Sequence, residues 1–260
     1  MADKKQVIFL ASFGTSILRA KEVSYDQIKK ELEESSGLPV WQVFTDDDTA
    51  RAVSGMNDEI IFTVEDAIEN AVMQGYDEVL CVPVFFAKGE LYNSLRSRLD
   101  FYRDRIDIRM ADSVLYNPES CAEVGEIMLK VVKPEPDKEY LFVGHGESVY
   151  HNQGYGIMEE YLRSKGYENI RVIKLKERDS LGQAIAWLKS RGADMRDEQV
   201  EIVPLVVAWG DYMAGELYNS EDSFMWRLRK AGYRTVFTGK GMGEYPEFRT
   251  IYQKRLAALK

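Results

Sequence analysis

The sequence of 260 residues holds two histidines, His145 and His151. They fall within seven residues, just past the apolar run Tyr140-Leu-Phe-Val143, with His145 inside the turn Gly144-His-Gly-Glu147. An imidazole at a strand end can accept a proton near neutral pH or bind a borderline metal ion. Glycines on both sides of it let a large flat ligand approach the backbone. The plain alternative is a turn histidine satisfied by a backbone carbonyl, since two histidines without metal-ligand spacing make no established metal site by themselves.

Other groups able to do chemistry cluster in the same way after apolar runs. Ser12-Phe-Gly-Thr-Ser16 follows Val7-Ile-Phe-Leu-Ala11, Lys88-Gly-Glu90 follows Val82 to Phe86, and Trp209-Gly-Asp-Tyr212 follows Val203 to Val207. Short apolar runs alternate with amphipathic stretches throughout. Strands are expected at 7–11, 40–44, 78–86, 107–110, 140–143, 170–174, 200–207 and 235–237. Helices are expected at 25–34, 63–74, 90–105, 120–132, 155–165, 180–191, 223–231 and 246–259. Strands separated by helices of this length imply parallel pairing and right-handed crossovers, hence α/β sheets covered on both faces. Pro134-Glu-Pro-Asp-Lys138 interrupts the alternation and divides the chain into 1–133 and 138–260.

The halves look duplicated. Gly89-Glu-Leu-Tyr-Asn-Ser94 returns unchanged as Gly215-Glu-Leu-Tyr-Asn-Ser220, and Val82-Pro-Val-Phe-Phe-Ala-Lys-Gly89 parallels Val203-Pro-Leu-Val-Val-Ala-Trp-Gly210. The strand copies are offset by 121 residues and the hexapeptides by 126, so about five extra residues, Asp211 to Ala214 among them, separate the second strand from its word. Ser12-Phe-Gly-Thr-Ser16 corresponds to Gly144-His-Gly-Glu-Ser148, which sets Phe13 opposite His145. Ligands bind parallel sheets at the carboxyl ends of strands, where helix N-termini offer unpaired N–H groups. Facing halves would therefore line one crevice with these four loops.

Composition narrows the partners. With 45% hydrophobic and 30% charged residues the chain reads as an ordinary globular protein, and it holds no apolar run long enough to span a membrane. A net charge of −9 disfavours a broad nucleic-acid surface. Cys81 and Cys121 lie in an expected strand and helix, without a Cys-x-x-Cys, so neither a disulfide framework nor a structural zinc is expected and a reducing cytoplasm fits. The start leads directly into an expected strand, so no cleavable signal peptide is expected within these residues. No phosphate-binding glycine loop occurs, so no nucleotide is expected. Ser12 or Ser148 with His145 could form a nucleophilic triad, but the Gly-x-Ser-x-Gly elbow is missing. A homo-oligomer is compatible with all of this.

The ordered set Ser12 to Ser16, Ala71-Val-Met-Gln-Gly-Tyr76, Gly144-His-Gly146, Ala208-Trp-Gly-Asp211, Asp222-Ser223 and Gly241-Met-Gly-Glu-Tyr-Pro-Glu-Phe-Arg249 resembles the anaerobic-type class II sirohydrochlorin cobaltochelatases of cobalamin synthesis. The resemblance implies two flavodoxin-like, Rossmann-like halves with an anionic tetrapyrrole between them, and insertion of a divalent metal without ATP. Co²⁺ is the expected ion, with Fe²⁺ or Ni²⁺ as alternatives. By position, His145 matches the catalytic histidine that receives the metal and takes a pyrrole proton, a task suited to an ordinary imidazole pKa of about 6.5. Ser12, Phe13, Gly14, Thr15, Ser16, Lys88, Gly144, Gly146, Trp209 and Tyr212 match or neighbour the macrocycle loops. Two ligand positions depart from the family. Tyr212 stands where a second histidine is usual, and Leu91 stands where a glutamate is usual, with Glu90 one residue earlier.

A phenol with pKa about 10 is a poor Co²⁺ ligand unless the ion deprotonates it. The resulting metal set is His145, Glu90 and Tyr212, with His145 and Glu90 catalytic. Asp211, Glu147, His151 and Glu216 are reserves, each with a plain reading. Glu90 and Glu216 would be first-turn carboxylates favoured by a helix dipole, Asp211 a turn cap, and His151 a solvated loop residue. Because tyrosinate can ligate haem iron, a haem or tetrapyrrole carrier is the competing function, followed by a chelatase of other metal or direction.

Overall fold

In a computed structural model, residues 4–56, 59–146, 153–192 and 199–260 are described, with Asp211 and Tyr212 described in their backbone only. Strands β1 (Gln6–Ser12), β2 (Val40–Phe44), β3 (Glu78–Pro83) and β4 (Asp107–Met110) form one sheet in the order β2-β1-β3-β4. Strands β5 (Glu139–Gly144), β6 (Ile170–Lys174), β7 (Gln199–Leu205) and β8 (Arg234–Phe237) form a second in the order β6-β5-β7-β8. Every pairing is parallel. The central strands are buried almost end to end, as continuous apolar runs must be when helices cover both faces.

The helices are α1 (Leu18–Val23), α2 (Tyr25–Ser36), α3 (Asp47–Val53), α4 (Val64–Met73), α5 (Glu90–Asp100) and α6 (Pro118–Val132) in the first half. The second half has α7 (Gly154–Ser164), α8 (Ser180–Ser190), α9 (Asp211–Leu217), α10 (Phe224–Lys230) and α11 (Pro246–Ala257). Local chemistry sets several starts. Asp46, Thr63 and Ser223 each accept the N–H three residues on, and Asn117 forms a capping box with Ser120.

Several expected bounds are corrected. β3 stops at Pro83 rather than 86, because Val84 N–H bonds Ala11 and Val114 N–H bonds Phe85, making a loop of 84–86. β7 stops at Leu205, and α5 ends at Asp100 instead of 105, where tight turns take over. α1, α3 and α9 were not expected.

The halves exchange helices. Ile17 and Ala20, at the start of α1, pack on the second half's apolar cluster with Trp209, Met213 and Phe224. Conversely, α11 lies on the first half: Phe248 stacks on Phe86 at 5.5 Å, and Arg249 Nε donates to Glu31 at 2.7 Å. Helices α6 and α7 meet across the same boundary, where a side chain on Gly125 would strike the Tyr161 ring at 2.8 Å.

Candidate active site

Strand order 2-1-3-4 reverses direction between β1 and β3, and between β5 and β7 in the second sheet. The loops leaving those four strands stand at their carboxyl ends, the side on which open parallel sheets bind their ligands. They are the four loops that carry Ser12 to Ser16, Lys88 to Glu90, His145, and Trp209 to Tyr212.

The β1 and β5 turns are built alike. Ser12 and Phe13 carbonyls accept from Thr45 and Asp46 N–H at 2.8 and 3.2 Å, while Gly144 and His145 carbonyls accept from Leu175 and Lys176 N–H at 3.0 and 2.9 Å. Gly14 and Gly146 then take φ of 110° and 67°, in the region that favours glycine. At Gly146 a Cβ would also meet Lys174 Cβ at 2.6 Å. Phe13 and His145 therefore occupy equivalent places, one ring 44% exposed and apolar, the other half-buried and basic. His145 Nδ1 lies 2.7 Å from the Gly146 carbonyl. A carbonyl can only accept, so the neutral ring carries its proton on Nδ1 and its lone pair on Nε2.

Two contacts join the loops across the halves. Buried Thr15 donates its hydroxyl to the Trp209 carbonyl at 2.5 Å and accepts Ile17 N–H at 3.1 Å. Trp209 is itself buried, its indole N–H donating to Gly239 at 3.1 Å. On the other side, the Tyr155 ring fills the space above Gly144, where a Cβ would sit 2.8 Å away, and stacks on Phe86 at 6.4 Å. Phe86 leads directly to Lys88 and Glu90, so this stack ties their loop to the histidine strand.

Among the remaining predicted residues, Ser12 is buried beside Tyr25, whose phenol burial pushes up to about 12 and so keeps neutral. Ser16 is exposed. Lys88 is engaged with Asp112 at 2.6 Å. Glu90 is exposed at the first position of α5, directly after Gly89, which agrees with a first-turn carboxylate. The Tyr212 and Asp211 side chains, and His151, Glu147 and Ser148, lie outside the described residues.

The repeated hexapeptide proves misleading. Gly89 precedes α5, but Gly215 lies inside α9, and it is Gly210 that precedes α9. Strand register is therefore the true correspondence: Glu90 pairs with Asp211, and Leu91 with Tyr212. Glu216 is corrected accordingly, since it stands in the last turn of α9, where the helix dipole disfavours a carboxylate. Its compensation is Lys176 Nζ, an ion pair that sequence reading missed. The alternation Lys174-Leu-Lys176 at the end of the strand beside β5 was the available signal.

Among the described residues no three His, Cys, Asp or Glu side chains converge on a metal cage. A surface hollow of about 440 Å³ lies elsewhere, between Arg51, Phe62 and the outer side of α4, and contains no histidine. No described helix is long and apolar enough to cross a membrane.

Over residues 6–259 the sequence matches the cobalt chelatase (CbiK) family. The chain belongs to that family. It is a metal chelatase, and its two four-stranded parallel sheets are the chelatase fold. The fold is similar to SirB from Bacillus subtilis with Fe³⁺, at TM-score 0.66 and 14% identity, covering 98% of this chain and 95% of that one. It is also similar to the sirohydrochlorin chelatase SirB from Bacillus subtilis subspecies spizizenii in complex with cobalt, at TM-score 0.61 and 10% identity, with coverages of 98% and 95%. DR2241 from Deinococcus radiodurans, a multi-domain protein with structural similarity to chelatases and two additional novel domains, aligns at TM-score 0.59 and 14% identity, covering 98% of this chelatase and 55% of that chain. No curated protein matches the sequence.

Proposed function

We propose that this chelatase inserts Co²⁺ into sirohydrochlorin, held between residues 1–133 and 138–260 with its carboxylates toward the loop hydroxyls and amides, in a reducing cytoplasm and without ATP. The observation that carries the reading is His145: a half-buried imidazole at the carboxyl end of β5, beside the switch point, with Nδ1 tied to Gly146. Metal insertion forms metal–nitrogen bonds as two pyrrole N–H protons leave. Nε2 of His145 is the basic nitrogen that meets the ion and, once the ion has passed to the macrocycle and freed its lone pair, takes one proton, and Glu90 is the acceptor for the other. Thr15 and Trp209 hold the facing loops in register, while Phe13 offers an apolar ring to the macrocycle. Few protein ligands suit an ion that must be passed on, whereas a closed cage would retain it.

The direct test is the absorbance change of sirohydrochlorin on adding Co²⁺. Purified protein should accelerate it, and His145→Ala should abolish the acceleration. A wild-type rate equal to the uncatalysed one refutes the function. Running Fe²⁺ and Ni²⁺ in parallel, and haem in the reverse direction, fixes metal and direction.

A further inference from the structure

Glu216 is held in a way that a structural ion pair does not require. One carboxylate oxygen pairs with Lys176 Nζ, while the other, Oε2, is buried and meets no hydrogen-bond donor among the described residues. Leaving a charged acceptor unsatisfied is costly, and a carboxylate in the last turn of α9 is opposed by the helix dipole as well. The pair is also placed beside the chemistry. Lys176 N–H donates to the His145 carbonyl at 2.9 Å, so the carboxylate of Glu216 lies one lysine side chain away from the histidine turn. Lysine is a compact point charge on a flexible stem, partly exposed here, and can withdraw where an arginine fork would not.

We infer that Glu216 is a receiving site for the incoming divalent cation, with the Lys176 ammonium standing in for the ion until it arrives. The inference rests on the chelatase reading for its purpose but not for its test. In the exchange the ammonium leaves the carboxylate for solvent and the cation takes its place, bringing water ligands that can satisfy Oε2. No proton or electron moves. A divalent ion outcompetes a monovalent one at a bare carboxylate, yet the competition keeps binding weak enough for the ion to move on to the macrocycle.

The experiment titrates Co²⁺ alone into the full chain, following its visible absorbance, for wild type, Glu216→Gln and Lys176→Met. Glu216→Gln keeps the shape and removes the charge, and should weaken Co²⁺ binding about tenfold or more. Lys176→Met keeps the apolar stem and removes the competitor, and should tighten binding by roughly threefold or more. A pair with only a structural duty leaves Co²⁺ affinity unmoved and lowers thermal stability in both variants. Either variant shifting the other way, or not at all, overturns the inference. Circular dichroism checks folding, and if Glu216→Gln does not fold, Lys176→Met decides alone. If wild type metallates sirohydrochlorin while the variants bind Co²⁺ unchanged, this inference falls and the chelatase reading stands. If the two opposite shifts appear but wild type metallates nothing, the reverse holds.

Discussion

Removing the Thr15 hydroxyl should uncouple the two halves where their strand-end loops meet. Thr15→Val preserves shape and burial, but the Trp209 carbonyl loses its donor and Ile17 N–H loses its acceptor. The side chain is buried, so solvent does not replace either partner freely. At about 1–2 kcal/mol for each buried backbone group left unpaired, the loss is about 2–4 kcal/mol. Thr15→Ser is the control: it retains the hydroxyl and gives up one methyl, about 1 kcal/mol. Urea unfolding followed by circular dichroism measures both, and the midpoint should fall in the order wild type, serine, valine. Valine at or above serine would refute the claim that a hydroxyl bridge, rather than methyl packing, holds the loops together.

Two further expectations follow from the structure. Paired with Arg109 and Gln6, the carboxyl of Glu78 is lowered from its ordinary 4.5 to about 2, against an opposing cost of burial. A depressed carboxyl adds stability above its unfolded pKa and loses it as pH falls through the folded one. Wild type should therefore shed stability between about pH 4.5 and 2, with a ceiling near 3 kcal/mol that the half-exposed Arg109 reduces to roughly 1–2. Glu78→Gln should flatten that part of a stability profile measured by denaturation at each pH. Gly146→Ala meets both the φ of 67° and Lys174 Cβ at 2.6 Å, whereas Gly166→Ala meets a φ of 90° with open space around it. Thermal melts should show about 1–2 kcal/mol lost at Gly166 and clearly more at Gly146, with metallation lost only in the latter.

The parts of the fold legible in the sequence were those written by repetition of a simple pattern. β4 and β6 have the expected bounds because each is a short run flanked by turn residues, and the four candidate loops were placed at strand ends because each follows such a run. What escaped was short or depended on distant residues. The six residues of α1 make a helix too brief to show a period, and their apolar side faces a cluster in the other half. α9 was hidden by a repeated word, since six identical residues do not fix register while the preceding strand does. For the site, the sequence placed His145 and its turn, but Lys176 and Glu216 are 40 residues apart and meet only because β6 and β7 flank β5. Nor could it show that Thr15 reaches Trp209 across 194 residues.

The swapped helices have a consequence for synthesis. The amino half exposes Phe86 and the apolar side of α2 until α11 covers them, and α11 follows α2 by about 210 residues in the chain. Ile17 and Ala20, in turn, wait for β7 and the helices after it. A nascent chain stalled at the proline-rich junction thus presents a sheet with uncovered flanks, and the first lobe is completed only after the second has been made.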